Sequence, residues 1–235
     1  MATFHGQTVD MHEDFEDALD GSWTETDNDN NIDPSAAAAA YAGSAGMLLN
    51  LNGDEAGGED AFLGYTTGAN RTLMSYGFWV YVATSASDYL FDAVAHARDQ
   101  TSMGVFTTKV YLQRTGGVYK IRIRGTGFAD ITVSSGTWYW VTVLSVTDDT
   151  STLNVYGTDT VLVDSVNETG GSGTTNDAIT LGIDTPTDQD LDFYFDDLVA
   201  DWTDATFPLL GWETGAAAAN IRPRIMYLNR KRRTT

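Results

Sequence analysis

LDFYFDDLVADW, Leu191 to Trp202, alternates aromatic with acidic residues, breaks at the pair Asp196-Asp197 and resumes as an apolar run. The spacing of Phe193 and Phe195 has the period of a strand with one buried face. Two adjacent carboxylates inside such a strand are costly to bury unless something cationic neutralises them. Near the other end, EDFEDALDGSW from Glu13 to Trp23 forms a second acidic strand that runs into a glycine turn and a tryptophan. If the first and last strands lie side by side, Glu16 meets Asp197 or Asp196. A hard cation with oxygen ligands is then the natural occupant, and calcium fits best. Glu16 and Asp197 are the first choices as ligands, with Asp17 and Asp196 second. The alternative is solvent-facing acids on edge strands.

Working outward, the chain reads as short strands separated by Gly, Asn, Asp and Ser. They fall at 47–52, 60–66, 72–84, 88–97, 103–115, 118–125, 127–134, 137–147, 152–158, 160–166 and 177–184, before the closing 191–202. Twelve or thirteen strands with no long helix predict an all-β, antiparallel sandwich. Thr24 to Gly46 reads as a polar insertion. Its Asp27-x-Asp29-x-Asn31-x-Asp33 spacing is that of a calcium loop, but Ile32 replaces the turn glycine and no Glu closes it, so a solvated loop is expected. The five alanines 36–40 are long enough for a helical turn only. The Gly-rich 169–175 neither follows a parallel strand nor opens a helix, which argues for a hairpin over a phosphate loop.

The F-E-D with its downstream Trp near the start, together with the aromatic-F-D-D-L-V strand near the end, resembles the concanavalin A-like (laminin G-like) jelly-roll superfamily and related carbohydrate-binding modules. Several segments resemble the laminin G-like pattern in order. These are Ser75 to Val82 with Trp79, the Gly136-Thr137-Trp138-Tyr139 turn, Leu153 to Gly157, and Ile179 to Gly182. The resemblance covers 12–202, leaving a lead-in at 1–11 and a C-terminal extension at 203–235. It implies a jelly-roll sandwich in which an early Glu and an Asp of the final strand hold a structural calcium. Function does not follow, because this fold hosts lectins, glucanases and virion proteins alike.

The chain has 33 acidic and 13 basic residues in 235, and 26 of the acids are Asp. Residues 221–235 hold six basic residues (Arg222, Arg224, Arg230, Lys231, Arg232 and Arg233) and no acid, leaving seven basic residues against all 33 acids elsewhere. So acidic a body is expected to repel nucleic acid. Its Asp-rich, Lys-poor surface resembles those of proteins from salty habitats, where screening removes self-repulsion; charge-maintained solubility is the other reading. No cysteine is present, which rules out disulfides and thiolate chemistry. The N-terminus lacks the basic and apolar regions of a signal peptide, and no run of 18 apolar residues suggests a membrane span.

Catalysis finds little footing. Glucanases of this fold resemble one another in an E-x-D-x-x-E strand, and the nearest match, Glu25-x-Asp27-x-x-Asn30, lacks the second Glu. Glu55 to Asp60 reads as a loop. His5, His12 and His96 lie far apart, and Ser134-Ser135-Gly136 has no nucleophile elbow. Sugar binding without catalysis stays open, with Trp23, Tyr65, Tyr76 and Trp140 as aromatic platforms, against ordinary packing for each. Trp138 and Trp140 share one strand face and Tyr139 and Val141 the other; one pair is core.

The basic end follows Ile225-Met226-Tyr227-Leu228, an apolar tetrad flanked by arginines. It is expected to dock on another subunit or a partner as an arm, against the ordinary disorder of a terminus. A sandwich without catalysis, cysteines or signal peptide that ends in a basic hook resembles capsid-decoration, head-fibre and tail-associated proteins of tailed viruses. The resemblance implies a viral shell or tail protein as partner, surface glycans as further ligands, and a homo-oligomer such as a trimer. It implies neither nucleic-acid nor membrane binding.

Overall fold

The computed structural model describes residues 2–4, 7–19, 21–27, 31–52, 61–169, 176–183 and 190–203. The strands in chain order are β1 (Ala2–Phe4), β2 (Gln7–Val9), β3 (Met11–Glu13), β4 (Trp23–Asp27), β5 (Ile32–Ala36), β6 (Gly46–Asn52), β7 (Ala61–Arg71), β8 (Leu73–Val82) and β9 (Tyr89–Asp99). They continue with β10 (Ser102–Thr115), β11 (Val118–Arg124), β12 (Phe128–Val133), β13 (Thr137–Val146), β14 (Thr150–Tyr156), β15 (Leu162–Thr169), β16 (Asn176–Ile183) and β17 (Asp190–Asp201). The alanine run supplies one 3-10 turn at Ala37–Ala39. The stretch expected to be a polar insertion contains β4 and β5. Pro34 is tolerated in β5 because that strand lies at a sheet edge. The Gly-rich 170–175 and the arm at 221–235 lie outside the described residues.

Two antiparallel sheets form the sandwich. One runs β12-β11-β10-β9-β16-β7-β4; the other runs β15-β14-β13-β8-β17-β6-β5, with β3 also paired to β17. Period-2 alternation sends Phe78, Val80, Val141 and Val143 from one sheet toward Val110, Leu112, Ile121 and Leu181 of the other. Phe91 and Phe193 stack across the gap, centroids 3.7 Å apart. Burying each ring is worth about 2–3 kcal/mol. Gly182 in β16 has φ +138°, and a Cβ there would lie 2.3 Å from the Ala61 carbonyl oxygen, so only glycine lets β7 approach.

The alternation on β13 resolves as Tyr139 and Val141 inward, Trp138 and Trp140 outward. Trp140 is nonetheless buried, because the lead-in folds as the hairpin β1–β2 and lays Phe4 on it, centroids 5.7 Å apart at 13°. Trp79, Tyr156 and Val199 complete this outer layer.

Strand β17 changes partners at the acidic pair. It pairs β6 from Asp190 to Phe195 and β3 from Leu198 to Ala200, with β8 on its other side from Tyr194 to Asp201. A bulge falls between Asp196 and Val199, and Asp197 takes a left-handed φ of +47°. β3, which ends at Glu13, therefore lies beside the last strand at the point where the ladder is interrupted, but 14–19, expected to form the acidic strand itself, makes bends instead, so Glu16 arrives from a loop.

Candidate functional site

The interruption leaves the segment from Tyr41 to Ala45 beside β17, and carboxylates satisfy its backbone. Asp196 is buried; its Oδ2 accepts the N–H groups of Tyr41 at 2.7 Å and Ala42 at 2.9 Å, and its Oδ1 accepts that of Asp197. Glu16 Oε1 accepts the N–H groups of Ser44 at 2.7 Å and Ala45 at 3.1 Å, while Oε2 accepts the Ser44 hydroxyl. Gly43 takes φ +62°, a conformation that favours glycine, and its missing Cβ leaves room for the Glu16 carboxylate. Asp197 Oδ1 lies 3.0 Å from His12 Nε2, and Asp17 is exposed apart from the group. Hydrogen bonding to Ser44 lowers the Glu16 pKa, whereas burial and the neighbouring Asp197 push Asp196 up to about 8 against its N–H donors.

Glu16 and Asp196 thus converge on one loop, each bound to different N–H groups of it, while Asp197 turns to His12. Among the described residues no three His, Cys, Asp or Glu side chains are grouped as a metal site would need. With the oxygens of Glu16 and Asp196 already accepting N–H groups, the arrangement fits a donor-capped staple better than a calcium ion.

The aromatic residues singled out for sugar binding divide. Tyr76 is 0% exposed in the core, its hydroxyl 3.2 Å from Thr108, and Trp140 is 2% exposed under Phe4, so neither offers a ring face to a ligand. Trp23 and Tyr65 are half-buried and meet edge to face, centroids 5.3 Å apart. They border a cleft of about 180 Å³ with Asp10, Met11, His12, Glu13 and Ala2. Trp23 is pinned there, because its Nε1 donates to Glu13 at 2.9 Å.

A different face carries more chemistry. Across β9, β10, β11 and β12 the register sets side chains in three rows: Ala95, Lys109, Arg124, Phe128; then Asp92, Tyr111, Arg122, Asp130; then Leu90, Gln113, Lys120, Thr132. Val110, Leu112, Ile121 and Ile123 fall between and enter the core, so all three rows lie on the outer side of the seven-stranded sheet.

The floor of this face is an ion pair. Lys109 Nζ lies 2.7 Å from Asp92 Oδ2, with the two side chains only 5% and 6% exposed, and also sits 4.7 Å from the Phe106 ring. Arg122 donates to Asp130 at 2.6 Å and to Gln113 at 2.8 Å, and Lys120 shares the same carboxylate. Burial pushes Asp130 up, but Lys120 and Arg122 outweigh it and hold its pKa below the usual range. Arg124 is exposed; it donates to the Tyr111 hydroxyl at 3.1 Å and lies 5.3 Å from the ring of Phe128, itself 44% exposed.

No known family matches this chain, and no curated protein sequence does. Solved structures similar to it include the CBM2 module of the evolved Dit of Lactobacillus casei BL23 phage J-1, at TM-score 0.54 and 14% identity over 82% of this chain and 94% of that one. The cellulose induced protein Cip1 gives TM-score 0.54 at 14% identity, over 82% and 97%. A protein of unknown function from Shewanella oneidensis MR-1 gives 0.51 at 12%, over 80% and 83%. At these identities the likeness is one of fold.

Chemically, the rows are suited to holding a ligand. Asp92 and Asp130 are both closed in ion pairs, which removes them as a free acid and base. His96 points into the sandwich at Ser145, 2.9 Å away, and burial lowers its pKa to about 4, so it stays neutral near pH 7. The signal for this face is present in the chain: K-V-Y-L-Q at 109–113 and K-I-R-I-R at 120–124 put every polar residue on one parity. Nothing in the sequence marks it as a site, because both stretches are also ordinary half-buried strands.

Proposed function

We propose that this chain is a non-catalytic, carbohydrate-binding β-sandwich carried on a virus particle. The observation that supports the binding role most is the ordered face on β10–β12, where Gln113, Arg122 and Lys120 are fixed beside the exposed ring of Phe128, with Tyr111 buried beneath. Fixed hydrogen-bonding groups beside aromatic rings are what a sugar needs, since its hydroxyls require partners and its C–H face packs on an apolar surface. The virion setting draws support from the fold it shares with a phage Dit module. The basic residues of 221–235 are the proposed anchor to an acidic shell or tail protein, an arrangement that favours register and encounter.

A glycan array probed with the whole chain tests the binding role. Wild type should bind a defined glycan, and a Gln113→Ala, Arg122→Ala double variant should lose it while remaining folded. Silence across the array from folded protein refutes glycan binding. Deleting 221–235 should abolish particle attachment without unfolding the sandwich; attachment that persists refutes the anchor.

A further inference from the structure

The positive charge of the body is concentrated on the face just described. Outside 221–235 the chain has seven basic residues, and Lys109, Lys120, Arg122 and Arg124 stand on the three rows, while Arg114, on the opposite parity, is paired with Asp88. Only two of the 33 acids, Asp92 and Asp130, stand among them. Charge kept only for solubility would have no reason to collect its cations in one place. A cationic island on an acidic body focuses the local field, and the surrounding acids repel polyanions from the rest of the surface.

Resting on the glycan-binding reading, we infer that the ligand of this face is an anionic polysaccharide, a sugar chain bearing repeated carboxylate or sulfate groups. Lys120, Arg122 and Arg124 project on alternate positions of β11 along roughly 13 Å, at about 3.4 Å per residue, a line that a short run of charged sugars can follow. Arg124 is the outermost head. Among the described residues it faces no carboxylate, and its remaining guanidinium donors are open to a ligand anion. Arg122 is held by Asp130 and Gln113, which orients it in advance of binding. Phe128 at 44% exposure and Leu90 at 41% give apolar surface at opposite edges for the sugar rings.

The test compares polymers that differ in charge alone: polygalacturonate against its methyl ester, and dextran sulfate against dextran, each titrated onto the whole chain at two salt concentrations. Wild type should bind an anionic member about tenfold or more tightly than its neutral parent, with affinity falling as salt rises. Polygalacturonate responding alone identifies carboxylate, dextran sulfate alone sulfate, and either supports the inference. Arg124→Gln should lose about tenfold, and Arg98→Gln, which removes an exposed charge outside the rows, should change little. If R124Q does not fold, Lys120→Gln serves, since Arg122 still holds Asp130. Equal binding to charged and neutral polymers overturns the charge inference and leaves the glycan reading standing. Absence of binding to every polymer overturns both. Equal losses in R124Q and R98Q, or duplex DNA binding as tightly as the polysaccharide, also overturn the inference.

Discussion

Lys109→Met tests whether the proposed binding face rests on its buried ion pair. Methionine keeps the length of the aliphatic stem and removes the ammonium, which leaves the Asp92 carboxylate, 6% exposed, without its partner at 2.7 Å. Water cannot screen a charge at that depth, so breaking the pair from one side costs about 3–5 kcal/mol. In a domain of this size each kcal/mol is worth about 2–4 °C, which puts the expected loss of melting temperature at about 6–20 °C. The double variant Lys109→Met, Asp92→Leu removes both charges and should recover most of the loss, because a buried pair replaced by apolar groups is close to neutral. Urea unfolding of wild type, both single variants and the double variant gives the coupling directly. A K109M chain within about 1 kcal/mol of wild type, or single costs that simply add in the double variant, would show that the pair does not hold the floor together.

Further outcomes follow from other parts of the molecule. Burial and Asp197 raise the folded pKa of Asp196 to about 8, above its unfolded value, so the folded state holds an extra proton between about pH 4 and pH 8 and stability should fall as pH rises through that window. Asp196→Asn should flatten the fall between pH 5 and pH 9, and an unchanged slope in melting temperature would remove Asp196 as its source. Because N–H groups occupy the oxygens of Glu16 and Asp196, we propose that chelating calcium leaves the melting temperature where it was; a drop of several degrees, restored by calcium, would favour an ion at the staple. Gly182→Ala forces a Cβ to within 2.3 Å of a β7 carbonyl at φ +138° and should cost about 2–4 kcal/mol by chemical denaturation. A cost under about 0.5 kcal/mol would mean that β7 and β16 separate freely.

Much of the fold was legible because alternation is a local property. From 47–52 to 191–202 the apolar and polar residues swap at period 2, and each stretch read that way is a strand. The hairpin β1–β2 and the edge strand β5 were not legible. Each has only three to five residues, too few to show a period, and each is held by what it packs on or pairs with. The same limit hid the burial of Trp140, which faces away from the main core and is covered by Phe4 together with the outer layer of Trp79 and Tyr156.

The acidic pair shows a different limit. Composition and pattern brought Glu16 and Asp196-Asp197 to one place, and the observed pairing of β3 with β17 puts them there. What hydrogen-bonds their oxygens could not be read from the side chains alone. The bulge at Asp196 exists in the backbone, and the donors come from Tyr41, Ala42, Ser44 and Ala45, none of which is basic. Net charge is blind in a related way. A formal charge of −20 argues against a polyanionic ligand for the chain as a whole, yet four of its seven body cations share one sheet face. What segregates them is strand parity: on β10 and β11 the same alternation that buries Val110, Leu112, Ile121 and Ile123 aims Lys109, Lys120, Arg122 and Arg124 the other way. The acidic remainder then acts as insulation, and the charge a ligand meets is decided by register.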